Sequence, residues 1–172
     1  WVVCMRFIYL LCLCLTVSVI SGCVPSMPQM TEKAITGIIV MKEKRQLYLM
    51  HDNRIIKRYK IDLGFSPLGH KAIAGDGKTP EGHYVINRNN PQSRFHLSLG
   101  MSYPNNKDRS RAYAIGKSPG GDIFIHGQPN KRKPKGNDWT HGCIAVKNDA
   151  IEYMFANVKT GTPLHIFPWT SA

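Results

Sequence analysis

Short apolar and aromatic runs set between three-residue polar breaks constrain this chain more than anything else in it. Residues 36–42 (TGIIVMK), 46–50 (QLYLM) and 55–63 (IIKRYKIDL) are divided by Glu43-Lys44-Arg45 and by His51-Asp52-Asn53. Such spacing predicts antiparallel hairpins, with His51 solvated in a turn. A Gly- and Pro-rich loop containing His70 follows over 64–82, closed by the turn signal Thr79-Pro80-Glu81-Gly82 before a strand at 83–86. Residues 95–99 (FHLSL) alternate, with His96 and Ser98 on one face and Phe95, Leu97 and Leu99 on the other. Tyr103-Pro104-Asn105 then opens a polar turn. One segment reads as helix: Asp149 and Glu152 suit a capping box, and Ile151, Met154, Phe155 and Val158 recur at helical spacing. Thr160-Gly161 supplies a stop, and a last strand at 164–167, holding a structural His165, ends at Pro168. With 172 residues, 42% hydrophobic and 20% charged, the expectation is one mainly β domain with one clear amphipathic helix near its C-terminus.

The chemistry gathers in residues 123–146, IFIHGQPNKRKPKGNDWTHGCIAV. A β-like run ends in His126-Gly127, a Lys/Arg-rich loop follows, and Trp139-Thr140-His141-Gly142-Cys143 leads into a second apolar run, 144–146. Cys143 is the only cysteine beyond the first 23 residues. A thiol becomes a nucleophile when a base or a positive environment makes the thiolate, and His126 and His141 both lie within this stretch. The plainer reading is a small buried hydrophobe with two loop histidines. Gly142 tilts the balance, because a glycine there lets the backbone turn sharply and bring N–H groups toward a carbonyl.

His-Gly, a loop, then Thr-His-Gly-Cys-Ile resembles the signature of the L,D-transpeptidase catalytic domain, the cysteine enzymes of peptidoglycan. GDGKTPEGHYVI (75–86), SRFHLSLGMSYPN (93–105) and PGGDIFIHG (119–127) resemble the same family, so the likeness runs over about 35–168. The branch most resembled carries DWTxGCIAV where others have SHGCIRL. The resemblance implies a compact β-sandwich-like fold with Cys143 as nucleophile and His126, 17 residues upstream, as base. The Gly127 carbonyl would orient the base, N–H groups around Gly142 and Cys143 would bind the oxyanion, and His141 would shape the cleft. Trp139 and Thr140 would fix the loop, leaving Asp122 and Asp138 structural. The implied substrate is a peptidoglycan stem peptide, attacked at the L centre of meso-diaminopimelate to give a thioester, with no cofactor. An amine acceptor gives a crosslink, an attached lipoprotein or an exchanged D-amino acid; water gives hydrolysis. The DWTxGCIAV branch includes an enzyme that cuts the major outer-membrane lipoprotein from peptidoglycan, so an L,D-endopeptidase is the alternative outcome. Ala145 stands where many relatives have Arg. A substrate-carboxylate clamp must then come from elsewhere, with Lys131, Arg132, Lys133 and Lys135 as candidates.

The address follows from residues 1–22, in which Met5-Arg6 precedes FIYLLCLCLTVSVI, as in a secretory signal. Ile20-Ser21-Gly22-Cys23 resembles a bacterial lipobox, making Cys23 the lipidation site and 23–34 a tether ahead of a catalytic domain at 35–168. Val24 stands where sorting to the inner membrane favours Asp, so a periplasm-facing outer-membrane anchor is expected. Cys143 then has no intramolecular partner in an oxidising compartment, which favours a thiol kept for chemistry. The formal charge is +12, and residues 1–22 carry one Arg and no acid, so +11 remains without them. An exported protein meets stem-peptide carboxylates, a possible lipoprotein partner and anionic bilayers rather than nucleic acid. Two other classes compete. A zinc hydrolase using His126, His141 and Cys143 lacks an HExxH-like helix, so no metal is expected. A non-catalytic, lipid-anchored wall-binding module would tolerate loss of Cys143 and His126, and both are present.

Overall fold

The computed structural model describes residues 34–131, 134 and 136–168. The signal segment, Cys23, nearly all of the tether, and Arg132, Lys133 and Lys135 lie outside them. The expected hairpins form: β1 (Gly37–Met41), β2 (Gln46–His51) and β3 (Arg54–Lys60) pair antiparallel in sequence order. Along β1 and β2 every second residue is buried, putting Ile38, Val40, Leu47 and Leu49 into the core. That period of two is the pleat of a half-buried strand.

Next come β4 (Gly82–Ser93) and β5 (His96–Met101), then α1 (Asn106–Ala114), β6 (Phe124–His126), β7 (Ile144–Ala145), α2 (Asn148–Asn157) and β8 (Pro163–Phe167). The strand order is β3-β2-β1-β8-β4-β5-β6-β7. β8 lies parallel to β1 and antiparallel to β4, while β7 lies parallel to β6. β4 is the hinge of this sheet: 82–85 pair with β8, and from Ile86 onward the strand pairs with β5. Its ladder to β5 slips between Ile86 and Arg88 and again between Asn90 and Ser93. Bulges of this kind bend and twist a strand. Ile86, Leu99, Met101, Ile125 and Ile144 join Ile38, Leu49, Leu164 and Ile166 in one cluster, against which α2 packs Ile151 and Met154. The mainly β, sandwich-like class holds.

Two expectations need correction. Residues 106–114 form a second helix, not a polar turn. Asn105 Oδ1 accepts from Asp108 N at 3.1 Å and Asp108 Oδ2 accepts from Asn105 N at 3.0 Å, a reciprocal cap. Only Asp108 and Ala112 of this helix are buried, so it carries no apolar stripe to read. At α2 the capping box is absent: Lys147 occupies the N-cap and makes no side-chain cap bond. Asp149 Oδ1 takes the adjacent Ala150 N–H at 2.9 Å, and Glu152 Oε1 reaches across to His96 Nε2 at 2.7 Å. Packing of Ile151, Met154 and Val158, all buried, sets this helix instead. It ends at Asn157, before Thr160-Gly161; Gly161, at φ +92°, shapes the following turn and donates its N–H to Ile86 O. His165 stacks on His83 across the β4–β8 ladder, with ring centroids 3.7 Å apart.

Candidate active site

Two short parallel strands make the site. Ile125 lies beside Ile144 and His126 beside Ala145, so Cys143 falls at the mouth of β7 next to the end of β6. The Cys143 thiol is half-buried; the Phe124 N–H donates to Sγ at 3.4 Å, and Sγ lies 3.6 Å from Asp122 O. Burial pushes this thiol up from its ordinary pKa, opposed by the Phe124 N–H, raised further by Asp122 and opposed by Lys71. At rest the sulfur holds its proton.

His126 is 2% exposed. Its Nδ1 sits 2.7 Å from Gly127 O, and a carbonyl can only accept, so Nδ1 carries the proton and Nε2 keeps the basic lone pair. Phe95 stacks on the imidazole at 4.4 Å and 28°, and Trp139 meets it edge-on at 5.5 Å. Burial lowers the His126 pKa, with the Gly127 bond opposing, so the ring is neutral and able to take a proton at neutral pH. Cys143 and His126 line one cavity of about 410 Å³, together with Phe95, Ser98, Asp122 and Arg94. A larger cavity of about 600 Å³ runs along α1, but no thiol lines it, and chemistry rather than volume selects between them.

The loop that carries the thiol is fixed from both sides. Gly142 has φ +124°, and a Cβ there would stand 2.6 Å from Lys78 O, so no other residue fits. Its N–H donates to Thr140 Oγ1 at 3.1 Å, while that hydroxyl donates to Cys143 O at 2.7 Å. Trp139 Nε1 donates to Asp62 Oδ2 at 3.2 Å, and Asp138 makes a forked ion pair with Arg45 while accepting from Leu63 N. Behind Gly142, the 64–82 loop is held by Lys42, which is fully buried. Its Nζ donates to Gly69 O, Thr79 O and Glu81 Oε1 at 2.7–3.0 Å. Burial lowers the Lys42 pKa and Glu81 opposes, the balance of a paired interior cation.

The expected residues separate here. Cys143, His126 and Gly127 come together. The Gly142 N–H is already engaged by Thr140. His141 is exposed, with its ring edge against Phe65 at 5.4 Å, and does not line the cavity. Asp122 and Asp138 pair with Arg88 and Arg45. Lys131 is exposed on the loop outside the cavity lining. Sequence reasoning missed Asp62 and the placement of Phe95 over the His126 ring. Trp139 is half-buried, and an indole N–H turned from water needs an acceptor, a signal that could have pointed to an acid nearby.

A family model for the L,D-transpeptidase catalytic domain, YkuD, matches residues 35–166. The chain belongs to this family. YafK of Escherichia coli K12, whose name places it among the L,D-transpeptidases, is 32% identical over 124 residues, 69% of this chain and 45% of its own. The helical cell shape determining protein Pgp2 of Campylobacter jejuni has a similar structure, with TM-score 0.63 and 26% identity over 81% of this chain and 50% of that one. Bd1075 of Bdellovibrio bacteriovorus superposes with TM-score 0.57 and 28% identity, covering 78% and 48% of the two chains. This chain thus spans about half the length of each of these relatives.

Proposed function

We propose that the protein is a cysteine acyl-transfer enzyme acting on diaminopimelate stem peptides of peptidoglycan. The observation that carries this reading is the neutral His126, its Nδ1 committed to Gly127 O, in one cavity with Cys143. His126 Nε2 takes the thiol proton as Sγ attacks the carbonyl at the L centre of meso-diaminopimelate. The tetrahedral oxyanion meets the Cys143 N–H, since the Gly142 N–H is held by Thr140. Collapse breaks the C–N bond, His126 returns the proton to the leaving amine, and a thioester remains. An amine or water then resolves the thioester with His126 as base again. The phenyl ring of Phe95 and the indole of Trp139 keep bulk water from the imidazole.

This donor chemistry is common to a transpeptidase and to an L,D-endopeptidase that frees lipoprotein. The DWTxGCIAV pattern is what favours the second, with peptidoglycan-linked lipoprotein as partner. In this reading residues 1–22 are removed, Cys23 is acylated, and 35–168 work in the periplasm from the outer membrane. Cys23→Ser should then release the protein from the membrane fraction.

Purified protein incubated with sacculi, with and without attached lipoprotein, tests the reading through muropeptide mass analysis. New crosslinked or exchanged muropeptides identify the transferase, and released lipoprotein with a free diaminopimelate carboxyl identifies the endopeptidase. Products that persist after Cys143 alkylation, or vanish on chelation and return with zinc, would sink the thiol mechanism.

A further inference from the structure

The catalytic cavity contains a cation that the chemistry at Cys143 does not use. We propose that Arg94 is the carboxylate-binding residue of this site and selects acyl donors carrying a free carboxylate beside the scissile bond. This deepens the stem-peptide reading above and rests on it for the identity of the donor.

Arg94 sits at the tip of the β4–β5 hairpin, between Ser93 and Phe95, where Ser93 pairs with His96. Asn130 pins that tip: its N–H donates to Arg94 O at 3.1 Å, and its side chain accepts from His96 N at 2.9 Å and donates to Ser93 O at 3.3 Å. One residue on, Phe95 lies flat against the catalytic imidazole. The Arg94 backbone is therefore registered to the His126 ring through its neighbour, and Arg94, an exposed residue, is part of the cavity lining.

Its charge is uncommitted. Among the described residues Arg94 forms no ion pair, whereas Arg45 is saturated by Asp138 and Arg88 reaches Asp122 at 2.8 Å. Asp122, the one acid lining the cavity among the described residues, is thus countered by Arg88, which also lies over the Phe124 ring at 4.6 Å. Asn90 and Gln92 add neutral amides to the wall. A planar guanidinium with an amide-lined approach matches a carboxylate bidentately. Ala145 cannot serve. Its side chain is a methyl, and the residue is 1% exposed, pairing with His126 on one side and Asp62 on the other. In this proposal the cation comes from the hairpin tip at Arg94.

A stem-peptide donor offers two carboxylates within reach of such a residue, that of the leaving amino acid and the second one of diaminopimelate. Donors amidated at one or the other separate them. With the free donor, Arg94→Ala should lower kcat/KM about 10- to 100-fold, mostly through KM, with Arg94→Lys between. Wild type and Arg94→Ala should converge on the donor whose relevant carboxylate is amidated.

A second readout needs no peptide. Alkylation of Cys143 forms an S–C bond with loss of iodide and the thiol proton, and iodoacetate differs from iodoacetamide in carrying a carboxylate. The iodoacetate-to-iodoacetamide rate ratio, followed by intact mass, should fall several-fold in Arg94→Ala with the melting temperature unchanged. An unchanged ratio, or equal losses on all three donors, overturns the proposal. A fallen ratio in a protein whose wild type turns over no stem peptide keeps the anion site and rejects the donor class.

Discussion

At one end of the sheet, β1 and β2 pair over five positions and β2 and β3 over six, with buried and open residues alternating along β1 and β2. At the other end, β6 and β7 share only two paired positions. There the geometry comes from side chains that bond the backbone: Thr140 to Gly142 and Cys143, Gln128 to Val146, Asn148 to Gln128, Asp138 to Leu63. Pairing and burial build the first end, and polar tethers around a buried imidazole build the second. The lesson is that stability and reactivity rest on different residues, so they can be separated by substitution.

The widest separation lies at the thiol. Cys143→Ala should abolish turnover on sacculi, and His126→Ala should lower it by about 10²- to 10⁴-fold. The double variant should be no worse than Cys143→Ala, because residues acting as one unit are not additive. His141→Ala, outside the cavity, should be mild. Wild-type acylation in His126→Ala together with its loss in His141→Ala would reverse the assignment of the base.

The opposite end sharpens the contrast. Leu47 is 0% exposed in β2. Leu47→Ala leaves a cavity and should cost about 2–5 kcal/mol in denaturant unfolding. In the fraction that remains folded, Cys143 should still alkylate at the wild-type rate. A comparable loss of thiol reactivity would mean that the two ends are coupled.

Legibility follows the same divide. The β1–β3 hairpins could be read because alternation and three-residue breaks report a pleated, half-buried surface directly. The thiol, its upstream histidine and the Gly127 carbonyl were legible through local motif and resemblance. Contacts between residues distant in sequence were not: Arg45 with Asp138, Trp139 with Asp62, Phe95 over His126 and Lys42 with Glu81 leave no periodic trace. The second helix escaped because its buried residues are an aspartate and an alanine. Phe95 read as the first residue of a strand over 95–99, whereas β5 starts at His96 and Phe95 sits at the hairpin tip, stacked on the His126 ring.

Phe95 tests how far the second end depends on dryness. Burial holds the His126 pKa below its ordinary value, so the base stays neutral into mild acid. Phe95→Ala lets water reach the ring and should raise that pKa toward its ordinary value of about 6.5. The acid limb of kcat/KM should move to higher pH, with the loss largest below about pH 6.5. The stability linkage has the same sign. With the folded pKa depressed, the unfolded chain binds more protons, so stability is full above about 6.5 and is lost as pH falls from there through the folded value. Phe95→Ala should narrow that window, measured as the pH dependence of the melting temperature. An unmoved acid limb would mean that the phenyl ring does not set the base's protonation.

The smallest effect separates the two helix starts. Asn105 closes a reciprocal cap with Asp108, and Asp108 is buried, accepting also from the Tyr84 hydroxyl at 3.0 Å. Asn105→Ala leaves the Asp108 N–H without its side-chain acceptor and should destabilise by about 1 kcal/mol. Asp149 is an exposed first-turn acid whose carboxylate, among the described residues, hydrogen-bonds just the neighbouring Ala150 N–H. Asp149→Ala removes a favourable charge near a helix N-terminus and should cost only about 0.3–1 kcal/mol at low ionic strength. Salt distinguishes the two: screening should shrink the Asp149 effect and leave most of the Asn105 effect, a hydrogen bond, in place. Chemical denaturation of both variants in urea, at low and high ionic strength, reads this directly. Equal, salt-insensitive losses would mean that Asp149 caps α2 in solution after all, and the assignment of that helix start to packing alone would be wrong.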